Sequence, residues 1–334
     1  MNYRELQDNT KQTKKSYADT LEQLIQNKEA AARETRVAYA KDIFSDPERY
    51  RTELRQILGW PLTEPRPQSA PAVHSELIAK EDGYSIYRMQ FDILDGVKFY
   101  GLLFRLHGNE PRPLVLAQHG RLGTPELISG MYGSSSNYND MLQRILRQGV
   151  HVFAPQLLLW DDCYHVAFDR DAVDARLKRL GGSITALELY ELSRVLDYFE
   201  TQSYVTNFGM VGLSYGGFFT LFTAALDTRI RSAVSCSYFN TRDQYAFTAW
   251  CLPNAANTFD DAQIACLVYP RRLCLEMGNQ DNLFDHRRST RSYEIIKELA
   301  KDHGTDWVEL IVFDGLHEFH RDDAPIIRLV NDLK

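Results

Sequence analysis

Cysteine, positive charge and long apolar runs are all in short supply in this chain, and each shortage excludes something. Its 334 residues hold five cysteines (Cys163, Cys236, Cys251, Cys266 and Cys274), an odd number with no C-x-x-C spacing. They read as reduced thiols filling apolar space in a cytosolic protein, with a structural disulfide as the alternative. Lys and Arg number 38 against 45 Asp and Glu, a formal charge of -7. That balance argues against a nucleic-acid partner and suits a protein acting on small or neutral molecules. No apolar stretch approaches the length of a membrane span. The first twenty residues, MNYRELQDNTKQTKKSYADT, lack the apolar core of a secretory signal, so a cytoplasmic location is expected. Internal repeats and low-complexity segments are missing as well.

What is present is ample core material, 44% hydrophobic residues, in two differently patterned parts. Residues 17–58 are charged and without strand signals, with one weakly amphipathic face at Leu21, Leu24 and Ile25. A second helix is expected after Ser45-Asp46-Pro47 and should stop at Gly59. Four prolines in 61–71 read as a linker. From residue 75 strands take over. Residues 84–91 and 97–104 flank Asp95-Gly96, a hairpin-turn pair. Short strands then alternate with helices: strands at 114–118, 150–154, 209–213, 231–235, 272–277 and 307–313, helices at 138–147, 184–200, 215–226 and 289–301. This alternation predicts an α/β fold, a mostly parallel doubly wound sheet of about eight strands. A helical N-terminal extension (1–65) would precede a catalytic domain (66–334). Two long irregular pieces, 156–182 and 240–270, interrupt the pattern.

Gly212-Leu213-Ser214-Tyr215-Gly216 fits G-x-S-x-G where a predicted strand passes into a predicted helix. That context identifies the nucleophile turn of an α/β-hydrolase fold, and a bare match in a glycine turn would lack it. Serine attacks only when a base takes its proton, so a histidine and a carboxylate should follow in the order Ser, acid, His. Asp281 lies just beyond the 272–277 strand and His317 just beyond the last one. Glu276 falls inside its strand, and Asp285 is better explained as a helix cap. The HEFH segment lacks HExxH spacing and a third ligand, so no metal is expected. An oxyanion hole needs two backbone N–H groups. Tyr215 supplies one candidate, and Arg121, in the His119-Gly120-Arg121 loop, the other. His119 itself reads as a structural histidine within that loop.

The chain resembles the acetyl xylan esterase-like and dienelactone hydrolase-like α/β-hydrolases. The likeness rests on LKRLGGSITALELYELSRVLDYFETQSYVTNFGMVGLSYGG, LVYPRRLCLEMGNQDNLF, DGLHEF and the entry segment YRTELRQILGWPL. Together they span residues 49–320. The resemblance implies Ser214, Asp281 and His317 as nucleophile, acid and base. It departs from the group at two points: dienelactone hydrolases carry a cysteine nucleophile, and secreted xylan esterases carry a signal peptide.

These readings lead to a serine carboxylic-ester hydrolase acting on short acyl esters, small acylated sugars among them, without cofactor. A C–C bond hydrolase or peptidase using the same three residues is the alternative, and a non-catalytic binding protein the third reading. Trp160, Tyr164 and Trp250, together with Tyr245 and Phe247, lie in the irregular pieces. There they either shape the substrate pocket or close the loops onto the core. The N-terminal helices either cover the site or pack against a second subunit, and assembly into a homo-oligomer is the expectation.

Overall fold

The computed structural model describes residues 1–160, 166–244 and 249–334. It opens with a 29-residue helix, α1 (Lys11–Tyr39), and α2 (Pro47–Leu58). Asp46 sits at the N-cap of α2 without a capping hydrogen bond from its side chain, so the start is set by Pro47 in the first turn. Three strands follow, β1 (Ala72–Lys80), β2 (Tyr84–Leu94) and β3 (Val97–Leu106), and then β4 (Arg112–Gln118). Next come α3 (Pro125–Ile128), α4 (Met141–Leu146), β5 (His151–Pro155), α5 (Arg170–Arg179) and α6 (Ile184–Glu200). The remainder runs β6 (Val205–Leu213), α7 (Tyr215–Leu226), β7 (Ile230–Cys236), α8 (Asp261–Cys266), β8 (Arg272–Gly278), α9 (His286–Leu299), β9 (Val308–Phe313) and α10 (Ala324–Leu333).

All these strands join one sheet in the order β1-β2-β3-β5-β4-β6-β7-β8-β9. The first three and β5 pair antiparallel, and from β5 onward every pairing is parallel. The sheet therefore has nine strands where about eight were expected. The additional one is β1, at the edge. Most of its residues are exposed, and an edge strand with so little to bury carries no apolar alternation to announce it. The α5 and α8 helices lie within stretches read as irregular.

Two apolar layers sandwich the sheet. One is built under α2, α6, α7 and α9, the other under α4 and α10. Every residue of α7 is buried, as expected of a helix whose sequence is apolar all round. Its last carbonyls, which lack intrahelical partners, are met from α2. The Arg51 Nε donates to Ala225 O at 2.9 Å and the Arg55 Nη2 to Leu226 O at 2.9 Å. The Tyr50, Leu54 and Leu58 side chains of α2 are buried in the same layer. By contrast residues 11–31 of α1 are exposed throughout. Among the described residues no helix is long and apolar enough to cross a membrane.

Candidate active site

Chain order places the site. From β4 the chain moves to β5 on one side, and β6 lies on the other, so the strand order reverses between β4 and β6, the place where ligands bind in open α/β sheets. Gln118, the last residue of β4, pairs with Gly212 of β6. The loops carrying Arg121 and Ser214 thus start side by side.

Ser214 has φ 62° and ψ -123°, a region that side chains other than glycine rarely occupy and that costs energy to hold. The turn is held by Ser214 N–H donating to Cys236 O at 2.8 Å and by Phe218 N–H donating to Ser214 O at 3.0 Å. The flanking glycines are demanded by close approach. A Cβ on Gly212 would stand 2.3 Å from Gly216 O, and one on Gly216 would stand 2.2 Å from Gln118 O. Ser214 Oγ has no hydrogen-bond partner among the described residues.

The acid and base loops are neighbours because Gly278 of β8 pairs with Phe313 of β9. Gln280 N–H donates to Gly315 O at 2.9 Å, lacing the two loops together. Asp281 divides its oxygens. Oδ1 accepts from Leu283 N–H at 2.8 Å and Phe284 N–H at 3.1 Å, whereas Oδ2 lies 2.8 Å from His317 Nδ1. The Asp281 side chain is fully buried, and the His317 ring stacks on Phe284 with centroids 5.7 Å apart. A proton on Nδ1 directed at the carboxylate leaves Nε2 as the basic atom. Asp285 is the N-cap of α9, its Oδ1 accepting from Arg287 N–H at 3.0 Å.

In the loop after β4, the amides on either side of Arg121 are committed elsewhere. Gly120 N–H donates to Tyr138 Oη at 2.8 Å and Leu122 N–H to Leu159 O at 2.7 Å. Tyr215 is the first residue of α7, and its N–H has no carbonyl one turn earlier to bond. His119 is fully buried, and burial pushes its pKa down to about 4, so the ring is neutral. Nε2 accepts from Leu157 N–H at 3.1 Å, which requires Nδ1 to carry the proton donated to Gly120 O at 2.8 Å. The ring thereby ties the loop after β4 to the loop after β5.

Behind Tyr215, the Arg170 guanidinium sits 5.4 Å from the phenol ring and binds both oxygens of buried Glu188, at 2.8 and 2.6 Å. Burial beside Glu188 raises the Glu191 carboxyl well above the usual range, and burial pushes the Tyr215 phenol up to about 12. Trp250 is 2% exposed and packs on Tyr215 with centroids 4.4 Å apart. Its outer edge borders a cavity of about 870 Å³ between α1 and α9, whose described lining includes neither Ser214 nor His317. Trp160 is half-buried and donates through Nε1 to Val166 O at 2.8 Å. Tyr164, Tyr245 and Phe247 lie outside the described residues.

Where a helix was expected over 138–147, α4 starts only at Met141, because Asn139 and Asp140 turn into the left-handed region, and the segment 137–144 grips the histidine loop. Asn137 Nδ2 donates to His317 O at 3.0 Å and Asn139 Nδ2 to Glu318 Oε2 at 2.8 Å. Arg144 donates to His320 O at 2.7 Å, Asp322 O at 2.8 Å and Asp323 Oδ1 at 2.6 Å. These bonds cross about 180 positions of sequence, and no local pattern announces them.

Residues 127–328 match the family described as the Dienelactone hydrolase family. A curated relative named as a hydrolase, YtaP of Bacillus subtilis (strain 168), is 28% identical over 190 residues, 52% of this chain. The chain spans 62% of that relative's length. Among solved structures, one from Bacteroides fragilis NCTC 9343 described as an acetyl xylan esterase superposes with a TM-score of 0.66 at 18% identity. The superposition covers 80% of this chain and 74% of that one. A glucuronoyl esterase from Solibacter usitatus gives 0.64 at 14% identity, covering 85% and 91%. At such identities the likeness is one of fold.

Proposed function

Because this chain belongs to the dienelactone hydrolase family, we propose that it is a serine carboxylic-ester hydrolase working through Ser214, His317 and Asp281. The observation that carries the reading is the coincidence of a strained serine turn with a histidine whose Nδ1 is held by a buried carboxylate. Both stand at the carboxyl ends of strands in the parallel part of the sheet, the serine after β6 and the histidine after β9, where catalytic groups collect in open α/β sheets.

In this reading His317 Nε2 takes the proton from Ser214 Oγ as Oγ attacks the ester carbonyl carbon. The Tyr215 and Arg121 amides receive the oxyanion. Collapse expels the alcohol, which leaves with the proton from His317, and Oγ keeps the acyl group. Water, deprotonated by His317, then attacks the acyl-enzyme and regenerates Ser214. Asp281 holds the tautomer and stabilises the imidazolium. Apo hydrogen bonds to a nucleophile are often formed only with substrate in place, so the unpartnered Ser214 Oγ is compatible with this role.

The substrates proposed are short acyl esters of the acetyl type, with acylated sugars among them. The names of the similar solved structures support ester rather than C–C or peptide bonds. Hydrolysis of p-nitrophenyl acetate, with covalent labelling of Ser214 by a fluorophosphonate, tests the reading. A folded protein inert to both reagents sinks it. A panel of acetylated sugars, simple esters, diketones and peptides then separates the bond types.

A further inference from the structure

Glu276 stands on a face of the sheet that is otherwise an apolar layer. It is opposite Cys236 of β7 and Ile311 of β9. Its face of the sheet is the apolar layer of Val234, Cys236, Cys274 and Phe313 under α4 and α10. The residue is 1% exposed, and its Oε2 has no hydrogen-bond partner among the described residues. A carboxylate buried this way is costly unless paired. Its partner is His320, whose Nδ1 lies 3.0 Å from Oε1 and whose ring lies flat on Phe313, centroids 4.5 Å apart at 12°. Neither group has a part in the reaction written above. The adjacent Cys236 is fully buried, and burial pushes its thiol well up, so it is no second nucleophile.

The pair belongs to the same two loops as His317 and Asp281. One loop carries both histidines, and β8 with its turn carries both carboxylates. Glu318, one of the two residues between the histidines, is anchored as well. Glu318 O accepts from Ser237 Oγ at 3.2 Å and lies 3.4 Å from Cys236 Sγ. Cys236 O is the acceptor for the Ser214 amide, and Ser237 N–H donates to Glu276 O at 2.7 Å. A short bonded path therefore runs from the serine turn, through the end of β7, to the far end of the histidine loop.

We propose that Glu276 and His320 are positioning residues for His317: their buried pair fastens the far end of the histidine loop to the sheet and so sets the imidazole against Ser214. This rests on the triad reading above. Misplacing a reacting group by about 1 Å costs on the order of a hundredfold in rate, so a loop that keeps its bonds to Asn137, Asn139 and Arg144 but loses this anchor on the sheet should hold His317 less well placed as a base.

The test uses the full chain, with kcat and KM for p-nitrophenyl acetate, the rate of fluorophosphonate labelling, and melting temperature. His320→Phe keeps a ring on Phe313 and loses the donor. It should lower kcat and the labelling rate about tenfold to a hundredfold while KM stays within about twofold. Glu276→Ala should match it, and Glu276→Gln, whose amide oxygen still accepts, should recover most of the loss. A folded His320→Phe protein with wild-type kcat overturns the proposal even if it melts earlier. Equal losses in Glu276→Gln and His320→Phe overturn it too, and these two variants decide if Glu276→Ala does not fold. Failure of the triad reading shows differently, as wild-type protein inert to both reagents, and takes this inference with it.

Discussion

His317 Nδ1 and Asp281 Oδ2 lie 2.8 Å apart, and the other Asp281 oxygen is pinned by two backbone N–H groups of its own turn. That division predicts what an amide would do. In Asp281→Asn the carbonyl oxygen stays with the Leu283 and Phe284 amides, so the NH2 must face His317. The imidazole is then forced to carry its proton on Nε2, where it cannot accept from serine. We expect kcat to fall by about 10³ to 10⁴ with the fold intact. Asp285→Asn, which alters only the N-cap of α9, should cost about 1 kcal/mol at most and little turnover. Steady-state kinetics on the two variants check this, and the reverse outcome would make Asp285 the acid.

Gly216→Ala drives a methyl to 2.2 Å from Gln118 O, a backbone atom that cannot swing away. The turn must open, or β4 must separate from it. Destabilisation of about 3 kcal/mol or more is expected, together with loss of fluorophosphonate labelling. Normal labelling at normal melting temperature would show that the turn tolerates a side chain there.

Arg51 is the clearest case of the N-terminal part serving the nucleophile helix. Its guanidinium donates to Ala225 O and Leu267 O, both at 2.9 Å. Arg51→Ala leaves both carbonyls without that donor and should lower unfolding free energy by about 2 kcal/mol. Urea titration measures it. A variant within about 0.5 kcal/mol of wild type would show that water satisfies both groups equally well.

Acid should destabilise the fold through buried histidines. Burial holds His119 near 4, below the unfolded value of about 6.5. A depressed folded pKa means that the unfolded chain binds the proton first. The contribution is therefore complete above about pH 6.5 and is lost as pH falls toward 4, roughly 2 kcal/mol by pH 4.5. His151, likewise pushed down to about 4 by burial, acts in the same direction. Urea midpoints at pH 7.5 and 4.5 should show a smaller difference in His119→Asn than in wild type. An equal difference would mean that carboxylates alone account for the acid sensitivity.

Residues 1–28 can be removed without touching a buried residue, since the first buried position in α1 is Ala32. The shortened protein should keep its melting temperature and its turnover. Tyr17, Leu21, Leu24 and Ile25 are exposed on the removed part, so if this arm joins subunits the mass in light scattering drops while kcat holds. Lost turnover at unchanged mass would instead make the arm a cover for the site.

Local chemistry wrote much of this protein into its sequence. G-x-S-x-G at a strand-to-helix junction located the Ser214 turn because only glycine tolerates the backbone contacts on either side. Helices at 184–200 and 215–226 agree with α6 and α7, since their periodicity and ends are set by neighbours in the chain. The meeting of Asp281 with His317 was legible because parallel strands deliver their following loops to one edge. Other features depended on groups distant in the chain. The β1 strand buries too little to leave an apolar pattern and exists only because the edge of β2 was there to pair with. Trp250 could equally have lined a pocket or filled the core, and it is only the tertiary structure that sets it against Tyr215 with an edge on the cavity between α1 and α9. The Glu276–His320 pair, the grip of Arg144 on the histidine loop and the Arg51 bonds to α7 and Leu267 join residues 44 to 216 positions apart. Their energy comes from satisfying polar groups that folding buries, a requirement that arises only once the sheet has formed.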